Sequence, residues 1–204
     1  MEERVRITAI IGSYRKGGII DQTVDEMLAA AREAGAETTK IYLVDTRIEF
    51  CTNCRLCAQQ DGAARGVCPI ADQMGDVLDQ VEASDAIILA SPTNFATVTA
   101  LMKRFIERLV CYAYWPWGAA APKARARHLP RRAVLVASSA APALFARLGT
   151  SIVKLLKQAA GLLGAKTVGV LFIGLAARQS RQDPGERVRK KARLLGKKLA
   201  CTSV

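Results

Sequence analysis

Histidine is nearly absent from this chain: there is one, His128, in 204 residues. Imidazole is the usual general acid or base near neutral pH and a common metal ligand. Chemistry built on a histidine pair is therefore excluded, and His128, set in a basic loop, reads as a surface residue. Long apolar runs are missing as well. No stretch reaches the ~18 residues of a membrane-spanning helix, and the opening MEERVRITAIIGS puts acidic residues before a short apolar run, unlike a signal peptide. A cytoplasmic chain without membrane contact is expected. Neither a GxGxxG run nor a GxxxxGK[ST] run occurs, which argues against a dinucleotide-fold dehydrogenase and a P-loop NTPase. Repeats and low-complexity segments are also lacking, so a single domain over 1–204 is expected.

Acidic residues are in short supply: 18 Asp and Glu against 30 Lys and Arg, a formal charge of +12. Much of the excess lies late, in RVRKKARLLGKK (187–198), where Val188, Ala192, Leu195 and Leu199 share a helix face, and in Arg125, Arg127, Arg131 and Arg132. A basic helix face is commonly just solvated; its functional reading is attraction of an anionic partner. No nucleic-acid-binding motif accompanies the charge, so a phosphorylated cofactor is preferred over nucleic acid. Aromatics are scarce too, yet Tyr112, Tyr114, Trp115 and Trp117 fall within six residues. Core packing under a long loop would explain them, and a subunit interface or a lid is the favoured reading.

What the chain does have is cysteine in one place. Residues 51–69, CTNCRLCAQQDGAARGVCP, hold four of its six cysteines, spaced C-x2-C-x2-C-x10-C. Three thiolates two residues apart can wrap three corners of an iron–sulfur cluster, and a last Cys followed by Pro echoes a ferredoxin run, though with a longer gap. C-x2-C is also half of a zinc knuckle, and free thiols or a redox disulfide are a third reading. Cys51, Cys54, Cys57 and Cys68 are thus candidate metal ligands, while Cys111 and Cys201 have no evident partner.

Apolar runs alternate with amphipathic helices along the whole length, the pattern of a parallel sheet covered on both faces. Strands are expected over 4–11, 37–44, 86–91, 132–138 and 167–173. The second alternates in polarity and so belongs at an edge, whereas 86–91 is nearly all apolar and central. Five helices connect them, the first with Asp21 as its N-cap. The cysteine-rich loop, 45–71, follows strand 2.

In an open sheet of order 2-1-3-4-5, ligands bind beyond the carboxyl ends of strands 1 and 3. Strand 1 leaves through GSYRKGG, where Ser13, Arg15, Lys16, Gly17 and Gly18 offer a hydroxyl, two cations and backbone N–H groups to a phosphate. Strand 3 leaves through Ser91, Pro92, Thr93, Asn94 and Phe95, a turn that could hydrogen-bond the edge of a flat heterocycle while Phe95 covers its face.

In these residues the chain resembles the NAD(P)H-dependent FMN reductases of flavodoxin-like fold, and within them the iron–sulfur flavoproteins; the likeness spans nearly its whole length. GSYRK (12–16) is similar to the family's G-S-P-R-K phosphate loop, SPTNFATVTALMKRFIER (91–108) to its flavin-ring loop and following helix, and CTNCRLC…CPIADQM (51–74) to its cluster motif. The chain differs in having Ile19 and Ile20 where the family carries polar residues. The resemblance implies that Ser13 and Arg15 hold the FMN phosphate, that Pro92 to Phe95 line the isoalloxazine, and that Cys51, Cys54, Cys57 and Cys68 are cluster ligands. It also implies a homo-oligomer, dimer or tetramer. The expected function is an FMN-dependent oxidoreductase carrying electrons from NAD(P)H or a reduced ferredoxin, via FMN and a [4Fe–4S] cluster, to an acceptor. No side chain is assigned a catalytic proton. The cysteine loop is expected beside the flavin. The alternatives are a zinc-stabilised binding module whose basic helix docks an acidic or nucleic-acid partner, and a cysteine redox sensor.

Overall fold

A computed structural model of the chain describes residues 4–62, 64–125 and 130–201. His128 and Arg127 lie outside the described residues. The elements run β1 (Arg6–Ile11), α1 (Ile19–Glu33), β2 (Glu37–Tyr42), α2 (Leu56–Gln59), α3 (Met74–Glu82), β3 (Ala86–Pro92), α4 (Ala100–Glu107), a 3-10 turn (Arg108–Tyr112), β4 (Ala113–Tyr114), β5 (Lys123–Ala124), β6 (Arg131–Ser138), α5 (Ala143–Gly149), α6 (Ile152–Leu162), β7 (Ala165–Ile173) and α7 (Glu186–Ala200). Five strands pair in parallel in the order β2-β1-β3-β6-β7. Numbered within the sheet, that is 2-1-3-4-5, the doubly wound flavodoxin-like order expected from the sequence. The antiparallel pair β4-β5, together with the short helices α2 and α5, is additional to that expectation.

Period-two alternation divides each central strand between two cores. Ile87 and Leu89 face one layer, with Val77, Leu78 and Val81 of α3, Met102 and Phe105 of α4, and Ile152 and Leu156 of α6. Ala86, Ile88 and Ala90 face the other, with Val24, Met27 and Leu28 of α1 and Ala192 and Leu199 of α7. β3 is buried over Ala86–Ser91, as a strand covered on both faces must be. β2 lies at the edge and is only partly buried. The sheet therefore brings the exits of β1, β3, β6 and β7 to one end.

Several cations of the basic segments are engaged within the fold. On α7, Arg189 pairs with Glu26 at 2.6 Å and Arg193 with Glu33 at 2.5 Å, and Lys198 donates to the Val168 carbonyl. Arg131 donates to the carbonyls of Ser84, Leu163 and Glu82. These bonds give much of the basic clustering a packing role.

Candidate functional site

The turn after β1 is built around one buried carboxylate. α1 begins at Ile19 with Gly18 as N-cap, so Asp21 is not the expected cap. It sits in the first helical turn, and its Oδ2 reaches back to accept the Gly17 N–H at 2.6 Å. Gly17 stands at φ +70°, a conformation glycine adopts without steric cost. On its other side Asp21 accepts from Lys40 Nζ at 2.7 Å and Tyr42 Oη at 2.9 Å, both from β2. Burial would push the Asp21 carboxyl up, but the bonds from Lys40, the Gly17 N–H and Tyr42 together hold it below the ordinary carboxylate range. Burial works against the charged Lys40 as well, and its bonds to Asp21, Asp25 and Tyr42 raise its pKa. The loop is further fixed by Ser13, whose hydroxyl accepts the Arg15 N–H at 3.1 Å.

Beside this turn opens a cavity of about 720 Å³, in the size range of small-molecule sites. Ser13 to Ile20, Pro92 to Asn94, Ser138 to Ala140, and Ala176, Ala177 and Gln179 to Gln182 line it. It thus joins the predicted phosphate residues Ser13, Arg15, Lys16, Gly17 and Gly18 to Pro92, Thr93 and Asn94. The lining includes Arg15, Lys16 and Arg181 and, among the described residues, no carboxylate, and α1 presents its first N–H groups there, so its polarity suits an anion. Lys16 is held by Asp45 at 2.5 Å and lies over the Tyr42 ring. Arg15 donates to the Ser180 carbonyl at 3.2 Å, tying the turn after β1 to the loop after β7.

Phe95 departs from expectation. Residues 94–97 close a two-residue turn, Asn94 and Thr97 exchanging backbone bonds of 2.9 and 3.0 Å. Phe95 and Ala96 at its tip take φ +46° and +60°, which is uncommon outside glycine and is a strained arrangement. The turn points the Phe95 ring into solvent, fully exposed and outside the cavity lining. The polar face is supplied instead by Thr93, whose N–H is bound to the Ser138 carbonyl at 2.7 Å and whose buried hydroxyl has no partner among the described residues. Ser138 to Ala140 and Gln179 to Gln182 join the lining without having been expected there. Their signal was topological: SSAA and QSRQ follow the fourth and fifth strands of the sheet, at the same carboxyl end as the two loops identified.

The cysteine loop is held by arginines. The Arg108 and Asp72 side chains, 2% and 1% exposed, pair at 2.5 Å. Arg108 also donates to the Glu49 carbonyl at 2.9 Å and to Cys68 Sγ at 3.5 Å. Asp72 accepts the N–H groups of Glu49 and Met74. Arg125 is buried and donates to the carbonyls of Cys57, Gln60, Gly62 and Cys111. Arg55 stacks on Trp115 and Trp117, 3.6 and 4.4 Å from the ring centroids. A side chain at Gly66 would run into the Cys57 carbonyl, so only glycine lets the loop return this closely. The aromatic segment 112–117 therefore covers the cysteine loop, and none of it lines the anion cavity.

Cys57 is buried, Cys51 and Cys68 half-buried, and Cys54 exposed. Burial, then the charges of Cys68, Cys51 and Cys54, push the Cys57 thiol up. Cys57 thus feels each of the other three thiols. Burial, then Cys57, pushes the Cys111 thiol up to about 12, which marks it as a packing residue. As placed, no three His, Cys, Asp or Glu side chains among the described residues stand close enough together to hold a metal ion. The residue types are those of a thiolate ligand set, four thiols on one loop with a guanidinium N–H aimed at one sulfur, but their placement here does not form one. Loops of this kind commonly close only on the metal.

The cavity and the thiols do not share residues. Thr99 at the start of α4 donates to the Gly12 carbonyl at 2.5 Å, whereas the cysteine loop contacts Arg108 and Cys111, beyond the end of that helix. Eight helical residues, about 12 Å at 1.5 Å each, lie between. The cysteine loop is anchored at the far end of α4, where the Gly66 N–H donates to the Cys111 carbonyl.

An open flavodoxin-like sheet with a basic-lined cavity at its switch point defines the class. The model of the NADPH-dependent FMN reductase family matches residues 5–178, and the chain belongs to that family. It is 37% identical over 112 residues to an iron–sulfur flavoprotein of Archaeoglobus fulgidus, covering 55% of this chain and 49% of that protein. It is 35% identical over 104 residues to the iron–sulfur flavoprotein MJ1083 of Methanocaldococcus jannaschii, covering 51% of each. The chain thus spans about half the length of the curated relatives it matches. Among solved structures, an FMN-dependent NADH-azoreductase from Bacillus anthracis, in complex with FMN, superposes with a TM-score of 0.70 at 13% identity, over 98% of this chain and 100% of that one. At that identity the likeness is one of fold.

Proposed function

We propose that the protein is an FMN-dependent oxidoreductase that passes electrons from NAD(P)H or a reduced ferredoxin, by way of FMN and a [4Fe–4S] cluster on Cys51, Cys54, Cys57 and Cys68, to an acceptor. The observation that carries this reading is the carboxylate-free cavity at the switch point, lined by Arg15 and the N-terminus of α1. Ser13 and Arg15 fit the cofactor phosphate, the Asn94 amide and the Thr93 hydroxyl fit a ring edge, and that hydroxyl is a donor without an acceptor among the described residues. Flavin, when bound, accepts a hydride as two electrons and gives them up singly. The chain's own residues bind and orient: the Asp21 carboxylate fixes Gly17, Arg15 ties the loop after β7 across the cavity, and the arginines of the cysteine loop hold its carbonyls. The free thiols suit a reducing cytoplasm.

We also propose self-association through the face carrying Phe95, Leu144, Phe145 and Leu148, each at least 67% exposed. Large apolar side chains clustered in this way mark interaction surfaces.

The test is a visible spectrum with flavin, iron, zinc and acid-labile sulfide assays on anaerobically purified protein. Released FMN with about four iron and four sulfide per chain is the expected result. Flavin without iron would leave an FMN reductase with redox-active thiols. A colourless protein with one zinc would overturn the oxidoreductase reading in favour of a zinc-stabilised binding module.

A further inference from the structure

The loop after β7 is firm at both ends and loose in the middle. At its start Gly174 packs so closely that a side chain there would run into the Ala143 backbone nitrogen, and Leu175 stands at φ +58°. The N–H groups of Leu175 and Ala176 donate to the Ala141 and Ser139 carbonyls at 3.1 and 2.9 Å. At its end Pro184 is buried, and its carbonyl accepts from Arg189 Nε at 3.0 Å, an arginine itself paired with Glu26 of α1. Between these anchors Arg178 to Arg181 are exposed, and Gln179 to Gln182 form part of the cavity wall. Among the described residues, the hydrogen bond that ties this stretch to the rest of the protein runs from Arg15 Nη1 to the Ser180 carbonyl. The Arg178 N–H turns inward to the Gln182 side chain, within the same loop.

The charges of the cavity make that tie conditional. Lys16 is paired with Asp45, whereas Arg15 and Arg181 line the cavity with no acidic partner among the described residues. Two uncompensated cations on two loops of one cavity repel and favour an open strap. A phosphate monoester, with a charge of about −1.5 to −2 near neutral pH, removes that repulsion. A guanidinium carries five N–H donors in a fork. One of those on Arg15 serves the Ser180 carbonyl and the others have no protein acceptor among the described residues, so one side chain can hold phosphate and strap together.

We propose that Arg15 is a positioning residue that couples phosphate recognition to closure of the strap 177–182, so that the cavity closes on a phosphorylated ligand and stays open on the same ring without its phosphate. The inference rests on the flavin reading above for its ligand pair, FMN against riboflavin. Coupling of this kind is reciprocal: the closed strap holds the phosphate more tightly by the factor by which the phosphate favours closure.

The test is limited trypsin digestion of the full chain, with cleavage after Arg178 and Arg181 followed by mass spectrometry, since nicking of an exposed loop reports the population of its open form. Flavin-free protein is compared with protein given FMN, riboflavin, or inorganic phosphate against chloride at equal ionic strength, and flavin fluorescence on the same samples reports occupancy. FMN and inorganic phosphate are expected to slow cleavage at these two sites about tenfold. Riboflavin is expected to leave it unchanged, and Arg15→Gln, brought to the same FMN occupancy, to lose the protection. Equal protection by riboflavin and FMN, protection by FMN with none by phosphate, bound FMN without protection, or full protection in Arg15→Gln overturns the proposal. Should Arg15→Gln fail to fold or to bind FMN, Arg15→Lys decides, because it keeps the charge but not the planar fork. FMN bound there without protection supports the coupling, and protection equal to wild type overturns it. Wild-type protein that binds no FMN would instead defeat the flavin reading, and inorganic phosphate alone would then decide the strap: protection supports it and none overturns it.

Discussion

The cavity at the switch point and the cysteine loop are built on opposite principles. Around the cavity most of the positioning is done by backbone. Strand ends of one sheet deliver four short loops, and a single buried carboxylate, Asp21, fixes the turn that offers N–H groups. Around the cysteines the backbone is irregular, with Asn53 and Arg55 at φ +55° and +58°. There, Arg108 and Arg125 from distant parts of the chain reach its carbonyls, and its own Arg55 stacks on Trp115 and Trp117. A site made from strand ends inherits the rigidity of the sheet. A site made from a long loop has only the rigidity its side chains impose, so damage to the two should separate cleanly.

The largest expected separation comes from Arg125→Ala. Removing this guanidinium strips a charged donor from four carbonyls at once, and such bonds contribute about 1.5–3 kcal/mol each before relaxation, so a loss of about 3–5 kcal/mol is expected. Iron should be lost while FMN still binds. Denaturant unfolding and a flavin titration on the same preparation check both halves, and equal loss of both cofactors would break the contrast.

Next in size is Asp21→Asn, which strikes the cavity side. Lys40 keeps Asp25 as a partner, so the expected cost is about 2–3 kcal/mol rather than the full penalty of a stranded charge. The sign of its pH dependence follows from the lowered carboxyl. The folded pKa lies below the unfolded value of ~3.9. The contribution of the carboxylate is therefore complete above that value and is lost as pH falls through the folded one. Wild-type stability should drop in this acid window, and Asp21→Asn should lack that part of the drop while keeping its iron at pH 7.

These two variants also mark what could be read from the sequence. The strand order is the one the doubly wound pattern implied, and the central burial of 86–91 and the edge position of β2 follow from local periodicity and are as expected. So are the loops after β1 and β3, since their polar residues sit beside the strands that carry them. The loops after β6 and β7 join the site only once the sheet is assembled, so Arg181 and Ser139 gave no local signal. Arg108 and Arg125 look like surface charge in the sequence. Their partners are backbone carbonyls and the Asp72 carboxylate, 14 to 68 residues away, and carbonyls belong to every residue and so leave no trace in composition. Asp21 looked like an N-cap because its side chain does serve a free N–H, that of Gly17.

Arg15→Ala gives a smaller and more local effect. It removes the cation at the cavity and the tie to Ser180, and a charge-assisted contact to phosphate corresponds to about tenfold to a hundredfold in FMN dissociation constant. Flavin fluorescence quenching measures it, with iron content unchanged.

The smallest effect is the most discriminating, because it changes sign with the cofactor. The Thr93 hydroxyl is buried without a partner among the described residues, and such a group costs about 1–3 kcal/mol relative to a satisfied one. In flavin-free protein, Thr93→Val removes that cost and keeps the branched shape, so stability should rise by about 1 kcal/mol. In the flavin-bound protein the hydroxyl has found its acceptor, and the same substitution should weaken FMN binding by about fivefold to tenfold. Thermal unfolding of both forms separates these outcomes. A stabilisation of equal size in both would mean that the hydroxyl never meets the cofactor, and Pro92 and Asn94 would then have to orient the ring without it.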